Sequence, residues 1–174
     1  PMIFLNTTAI MRMYDKENTE KYDKYAKECT DQIVNYHYKP DLGCTLETVA
    51  PDGTPILDVT QGRVVNPGHD IECSWFLIEE AIYRNDNELL GNAIGIYIDA
   101  LNKGWDKKYG GLFSFIDCLG NPPEAYEHDM KLWWPHNELM IASMMLYKET
   151  GDKYYLKWLK KKQKYSDKEY CDKK

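Results

Sequence analysis

Two histidines and two glutamates recur at matching places in the chain. In "NPGHDIECSWF" (66–76), His69 is followed three residues on by Glu72; in "WWPHNE" (133–138), His136 is followed by Glu138. Imidazole suits taking up and returning a proton near neutral pH. A carboxylate within one helical turn can orient it or act as a second acid–base group. Two His with two Glu also make a carboxylate-rich ligand set for a metal ion. Each piece has a plainer reading: Asn-Pro opens many helices, a lone His often only completes a hydrogen bond, and tryptophans pack. The same types at the same end of two equivalent helices, with Trp133 and Trp134 beside the second, favour a shared polar site.

These residues need helices to hold them. Asn66 is expected to cap a helix whose first position is Pro67, and Pro135 is expected to open its counterpart. The positive end of the helix dipole disfavours imidazolium, so His69 is predicted to be neutral near pH 7 and the glutamates ionised. Arg63 precedes the cap by three residues. His37 and His128 fit loop or edge positions without a role.

The chain also repeats itself. "GHDIECSWFLIEEAIYRNDNELL" and "PHNELMIASMMLYKETGDKYYL" share a plan of His, Glu, apolar helix, Tyr, basic residue, polar turn and second helix. The spacing from His69 to His136, from Gly53 to Gly120 and from Pro55 to Pro122 is 67 residues in each case. "AIMRMYDKENTEKYDKYAKECTDQI" reads as a further copy of the helix pair. Apolar spacing predicts helices near 1–14, 18–36, 67–84, 86–103, 135–149 and 151–165. "PDGTP" and "LGNPP" predict short β-hairpins near 44–58 and 111–118. Three helix pairs with hairpins at one end imply an all-α solenoid or part of a closed α/α toroid. Equivalent helix starts then gather His69, Glu72, His136 and Glu138 at one mouth. The third hairpin never follows and the first helix starts without a cap, so residues 1–174 are expected to be a partial domain, truncated at both ends. Open repeat ends predict exposed apolar surface and self-association.

Composition narrows the class. Of 174 residues, 43% are hydrophobic and 29% charged, a globular balance. A net charge of −6 argues against general nucleic-acid binding. The eight lysines from Lys157 to Lys174 read as a solvated helix face. No apolar run reaches the roughly 18–20 residues of a membrane span. Five scattered cysteines without a CxxC pair fit reduced thiols in a cytoplasmic protein, with neither a disulfide framework nor a Cys-type zinc site.

"PMIFLN" (1–6), "GRVVNPGHDIECSWFLIEEA" (62–81) and "KLWWPHNELMIASMMLYKETGDKYYL" (131–156) resemble the N-acylglucosamine 2-epimerase family. The resemblance runs through essentially the whole chain. His136 is similar to the N-acetylglucosamine branch, where cellobiose epimerases tend to carry Gln. It implies an (α/α)6 barrel binding a small sugar at the mouth and interconverting N-acetylglucosamine and N-acetylmannosamine. Proton removal and return at C2 of the ring-opened sugar is the implied chemistry, without metal or cofactor. His69 and Glu72 match catalytic positions. Arg63, Asn66, Trp133, Trp134, His136 and Glu138 match substrate-binding ones. The family's second catalytic His lies in a Phe-His-Val-Pro-Arg-type motif that this chain lacks, as it lacks the family's early Arg. One base alone implies C2 proton exchange without efficient inversion. A possible homodimer is expected, with no nucleic-acid or membrane partner. Two other readings share these residues: a non-catalytic carbohydrate-binding or interaction module, and an aldose–ketose isomerase on the same scaffold.

Overall fold

The computed structural model describes residues 1–170. Its α-helices are, in chain order, α1 (Met2–Tyr14), α2 (Thr19–Gln32), the single turn α3 (Thr60–Arg63), α4 (Pro67–Arg84), α5 (Asn87–Gly104), α6 (Trp133–Thr150) and α7 (Lys153–Glu169). They pair as α1 with α2, α4 with α5 and α6 with α7, and α4 also packs against α1 and α6. The three pairs are those expected from the repeat.

Local chemistry sets the ends. Asn66 caps α4, its side-chain oxygen accepting from the Gly68 and His69 N–H groups at 2.9 and 3.2 Å. Asn85 turns the chain out of α4 with a left-handed backbone, φ 55°. Asp86 then accepts from the Leu89 N–H and opens α5, and Asp152 does the same for α7 with Tyr154. Apolar residues at helical spacing, such as Leu89, Ala93, Ile96, Tyr97, Ala100 and Leu101 of α5, form the stripe that α4 buries. Burial of this core rather than helix propensity holds the pairs together.

Two close approaches fix the start of α4. A methyl group on Gly104 would stand 2.3 Å from Pro67, and one on Gly68 would stand 2.7 Å from Trp134. Only glycine lets the end of α5 and the start of α6 come this near. At the other end of α4, Glu80 is almost wholly buried and binds two arginines. Arg12 of α1 holds both of its carboxylate oxygens, and Arg84 donates to it at 2.7 Å. Arg12 also reaches Asp23 of α2 at 2.9 Å, so one guanidinium joins three helices.

Short antiparallel pairings lie between the helix pairs as expected, but their bounds and partners differ. Residues 44–58 do not fold on themselves as a ribbon. Cys44–Thr45 (β2) pairs backwards with Tyr38–Lys39 (β1), and within 44–58 there is a single bridge from Val49 to Pro55. Ile116–Asp117 (β4) pairs not within 111–118 but with Val64–Val65 (β3), in the preceding excursion. Turn residues mark where a chain reverses but not which strand it meets; here burial of Cys44, Leu46, Val65 and Cys118 in one small cluster decides the partner. Pro135 is the third residue of α6, which starts at Trp133. First-turn N–H groups lack helical partners, so proline is tolerated there as well.

Cys29, Cys44, Cys73 and Cys118 are buried free thiols, and burial pushes Cys44 up to about 12; Cys171 lies outside the described residues. The lysines of α7 are mostly exposed, as expected of a solvated face. Lys162 is the exception: it is buried, with its ammonium 3.8 Å from Met140 Sδ, and burial lowers its pKa.

Replacing Glu80 with Ala leaves the buried Arg12 and the half-buried Arg84 without their shared partner. A loss of about 3–5 kcal/mol in urea unfolding is expected; a loss below about 1 kcal/mol would show that the network does not hold the three helices.

Candidate active site

His69 and Glu72 lie in the first turns of α4, on the stripe that also carries Trp75. Along this stripe α4 is only partly buried, while the flanking Asp70, Ile71, Cys73 and Ser74 are buried. Opposite stand the first two turns of α6, with Trp134 and Glu138. The Trp134 ring centroid is 5.3 Å from that of His69, and Trp75 Nε1 donates to Glu138 Oε2 at 2.7 Å. Four expected site residues, His69, Glu72, Trp134 and Glu138, are therefore brought together across the groove between α4 and α6.

The sequence reading missed the fifth, Glu47, which follows β2. His69 Nδ1 lies 2.6 Å from Glu47 Oε1. A carboxylate accepts from the Nδ1–H, so the neutral ring carries its proton on that side and Nε2 keeps its lone pair. Nε2 makes no hydrogen bond among the described residues, and the side chain is 43% exposed. Glu47 precedes His69 by 22 residues, outside helical spacing, and its sequence context "TLET" carries no motif; only the β1–β2 ribbon brings it in.

The protonation expectations change with it. The Glu47 hydrogen bond raises the pKa of His69 against the lowering effect of burial, and Glu47 and Glu72 raise it further by charge. The helix-end effect that predicted a neutral ring is outweighed by a direct charge-assisted contact. Glu72 is also shifted up, first by burial and then by the nearby Glu138 carboxylate, with His69 opposing. It holds a proton more readily than an exposed glutamate does.

His136 is corrected. It is fully buried, its Nε2 accepts from the Leu112 N–H at 3.0 Å, and its Nδ1 donates to Leu132 O at 2.6 Å. Tyr165 stacks on the ring at 5.0 Å, and burial lowers its pKa to about 4. Both nitrogens are engaged by the scaffold, and the four-residue metal set that spacing allowed does not assemble. Asn66 is buried, and its oxygen is spent on the α4 cap. Arg63 donates to Asp117 Oδ2 at 2.9 Å and to Leu57 O at 3.0 Å, clasping the two loops below the site. Trp133 is 65% exposed, away from the groove's contacts. His37 and His128 donate to loop carbonyls, of Leu46 and Ala125.

The profile of the family described as N-acylglucosamine 2-epimerase (GlcNAc 2-epimerase) matches residues 2–174. The chain belongs to this family. It is 39% identical to the N-acylglucosamine 2-epimerase of Rattus norvegicus over 153 residues, 87% of this chain and 36% of the rat protein. It is 35% identical to that of Homo sapiens over 173 residues, 99% of this chain and 40% of the human protein. The chain thus spans about two fifths of the length of these relatives. A solved cellobiose 2-epimerase from Bacillus thermoamylovorans superposes with a TM-score of 0.78 at 19% identity, over 99% of this chain and 41% of that one. The three helix pairs are an arc of the (α/α)6 barrel.

A buried histidine with a depressed pKa contributes stability that is present above its unfolded value and lost as pH falls through its folded value. For His136 that window runs from about 6.5 down to about 4. The wild-type chain should lose stability steeply across this range. A His136→Gln variant should show a shallower acid limb in urea titrations at each pH. Equal slopes would mean that His136 titrates normally.

Proposed function

We propose that the chain carries proton-transfer machinery of a sugar 2-epimerase that interconverts N-acetylglucosamine and N-acetylmannosamine. The observation that carries this reading is the His69–Glu47 contact, which leaves one imidazole nitrogen lone pair at an open groove. In the ring-opened sugar, C2–H is acidified by the adjacent aldehyde. His69 Nε2 takes that proton, the C2–H electrons move towards C1, and the negative charge develops on the C1 oxygen. The positive end of α4 favours charge there. Return of a proton to the same face regenerates the starting sugar; return to the opposite face gives the 2-epimer. Glu72, with its raised affinity for a proton, is suited to serve the ring oxygen during opening and closing. Trp134, beside the imidazole, offers an apolar face to the sugar ring. The names and identities of the relatives support the substrate pair.

The setting is proposed to be cytoplasmic, supported by the buried free thiols; no described helix is long and apolar enough to cross a membrane. Self-association of the chain is supported by the apolar side chains that α1 leaves exposed, among them Ile3, Phe4, Ile10 and Met13.

The test follows deuterium at C2 of N-acetylmannosamine in D₂O by NMR. Exchange is expected in the wild-type chain and should fall at least about 10²-fold in His69→Ala. Because the base form of His69 grows as pH rises through its raised pKa, the rate should climb with pH. Glu47→Gln should move the midpoint of that climb to lower pH. Undiminished exchange in His69→Ala would remove His69 from the chemistry.

A further inference from the structure

The four buried thiols fall into two groups. Cys29 and Cys73 lie in the main helical core, whereas Cys44 and Cys118 share the small cluster with Leu46 and Val65. Cys44 is 1% exposed and Cys118 is 4% exposed. The two are 74 residues apart in the chain and sit on different excursions: Cys44 opens β2, and Cys118 directly follows β4. Lys103 of α5 lies against both segments. Its Nζ donates to Cys118 O at 2.7 Å, and a methyl group on Gly43 would stand 3.5 Å from its Cε. The Cys44 thiol itself donates to the Cys118 sulfur. Strand pairing does not join the two excursions here, since β2 is bonded to β1 and β4 to β3. The thiol pair is thus a direct side-chain contact between the two ribbons.

We propose that Cys44 and Cys118 form a reversible cross-linking site, closing to a disulfide when the chain meets a peroxide. The inference stands apart from the sugar reading. Two sulfurs in hydrogen-bonding contact have to close to about 2.05 Å, a movement that side-chain rotation supplies. A cavity of about 480 Å³ borders Cys118, with Lys103 at its wall, and gives a peroxide its approach. Burial raises both thiols and carries Cys44 to about 12. At Cys118 the Asp117 charge adds to burial, while Lys103, the hydrogen bond from Cys44 and Arg63 offset it. Cys118 is therefore the readier thiolate and reacts first. Its sulfur attacks one peroxide oxygen, the O–O bond breaks and water leaves, giving a sulfenic acid. The Cys44 sulfur then attacks the Cys118 sulfur, the S–O bond breaks, and a second water carries away the Cys44 proton. Two electrons pass from the thiol pair to the peroxide, and a dithiol returns them.

Neither thiol lines the cavity of about 280 Å³ beside His69. The bond instead straps the ribbon that presents Glu47, three residues beyond Cys44, to the excursion that follows α5. A cross-link over so long a stretch of chain restricts the unfolded state strongly.

The experiment treats the reduced chain with hydrogen peroxide, maps its peptides by mass spectrometry without reduction, and records Tm before and after. A peptide pair joining Cys44 to Cys118 is expected, with Tm raised by about 5–10 °C. Dithiothreitol should reverse both; methionine oxidation survives it and cannot imitate the result. Cys118→Ala should lose the peptide pair and the Tm shift. Cys44→Ala keeps the first thiol and removes the second, so it should leave a sulfenic acid on Cys118 that dimedone traps. Should either variant fail to fold, the wild-type peptide map decides by itself. Bonds at other cysteines or between chains in place of this pair overturn the proposal. So do Cys44 and Cys118 that stay reduced in the folded chain at peroxide concentrations that oxidise free cysteine. A Cys44–Cys118 bond with Tm unchanged overturns the strap.

Discussion

A charge-assisted hydrogen bond from an imidazole to a carboxylate carried by a different excursion is the contact on which the site turns. His69 stands at the start of α4, and Glu47 follows a two-residue strand, so their 2.6 Å approach depends on how the loop layer seats on the helices. The proline–glycine contacts at the head of α4 and the Asn66 cap fix one side of that approach. Pairing of β2 with β1, and of β3 with β4, fixes the other. Neither excursion is stable alone, because two-residue strands bury little; each leans on the helix heads and on the small cluster around Leu46 and Val65.

The division of labour along α4 follows from the same geometry. Its head carries the His69–Glu47 contact, and its tail carries the Arg12–Glu80–Arg84 network that ties it to α1. A buried ion network is a poor source of net stability but a strict one for alignment, since any slip strands a charge. It holds α1 where its first residues close the cavity beside His69.

The helical periodicity made α4, α5 and the flanking pairs legible, because a stripe repeating every 3.6 residues is a local signal. The Asn66-Pro67 start was legible for the same reason. Residues set by contacts between distant segments were not. Glu47 has no motif, and the strand partners of Cys44–Thr45 and Ile116–Asp117 depend on burial across excursions rather than on turn residues. His136 shows the opposite failure. By sequence it is the twin of His69, yet the loop carrying Leu112 and the aromatic rings of Tyr165 and Trp105 close over it. Equivalent positions in a repeat share a backbone but not a neighbourhood. The resemblance motifs found the groove; burial and hydrogen bonds decided which of their residues face it.

The central claim is that Glu47 fixes the proton on His69 Nδ1 and leaves Nε2 as the reacting atom. Long-range ¹H–¹⁵N NMR of the His69 ring reads this directly, across a pH titration and without any substrate. The account predicts the Nδ1–H form at high pH, and a protonation midpoint above that of a free histidine, about 6.5. An Nε2–H ring, or a midpoint below that value, would contradict it.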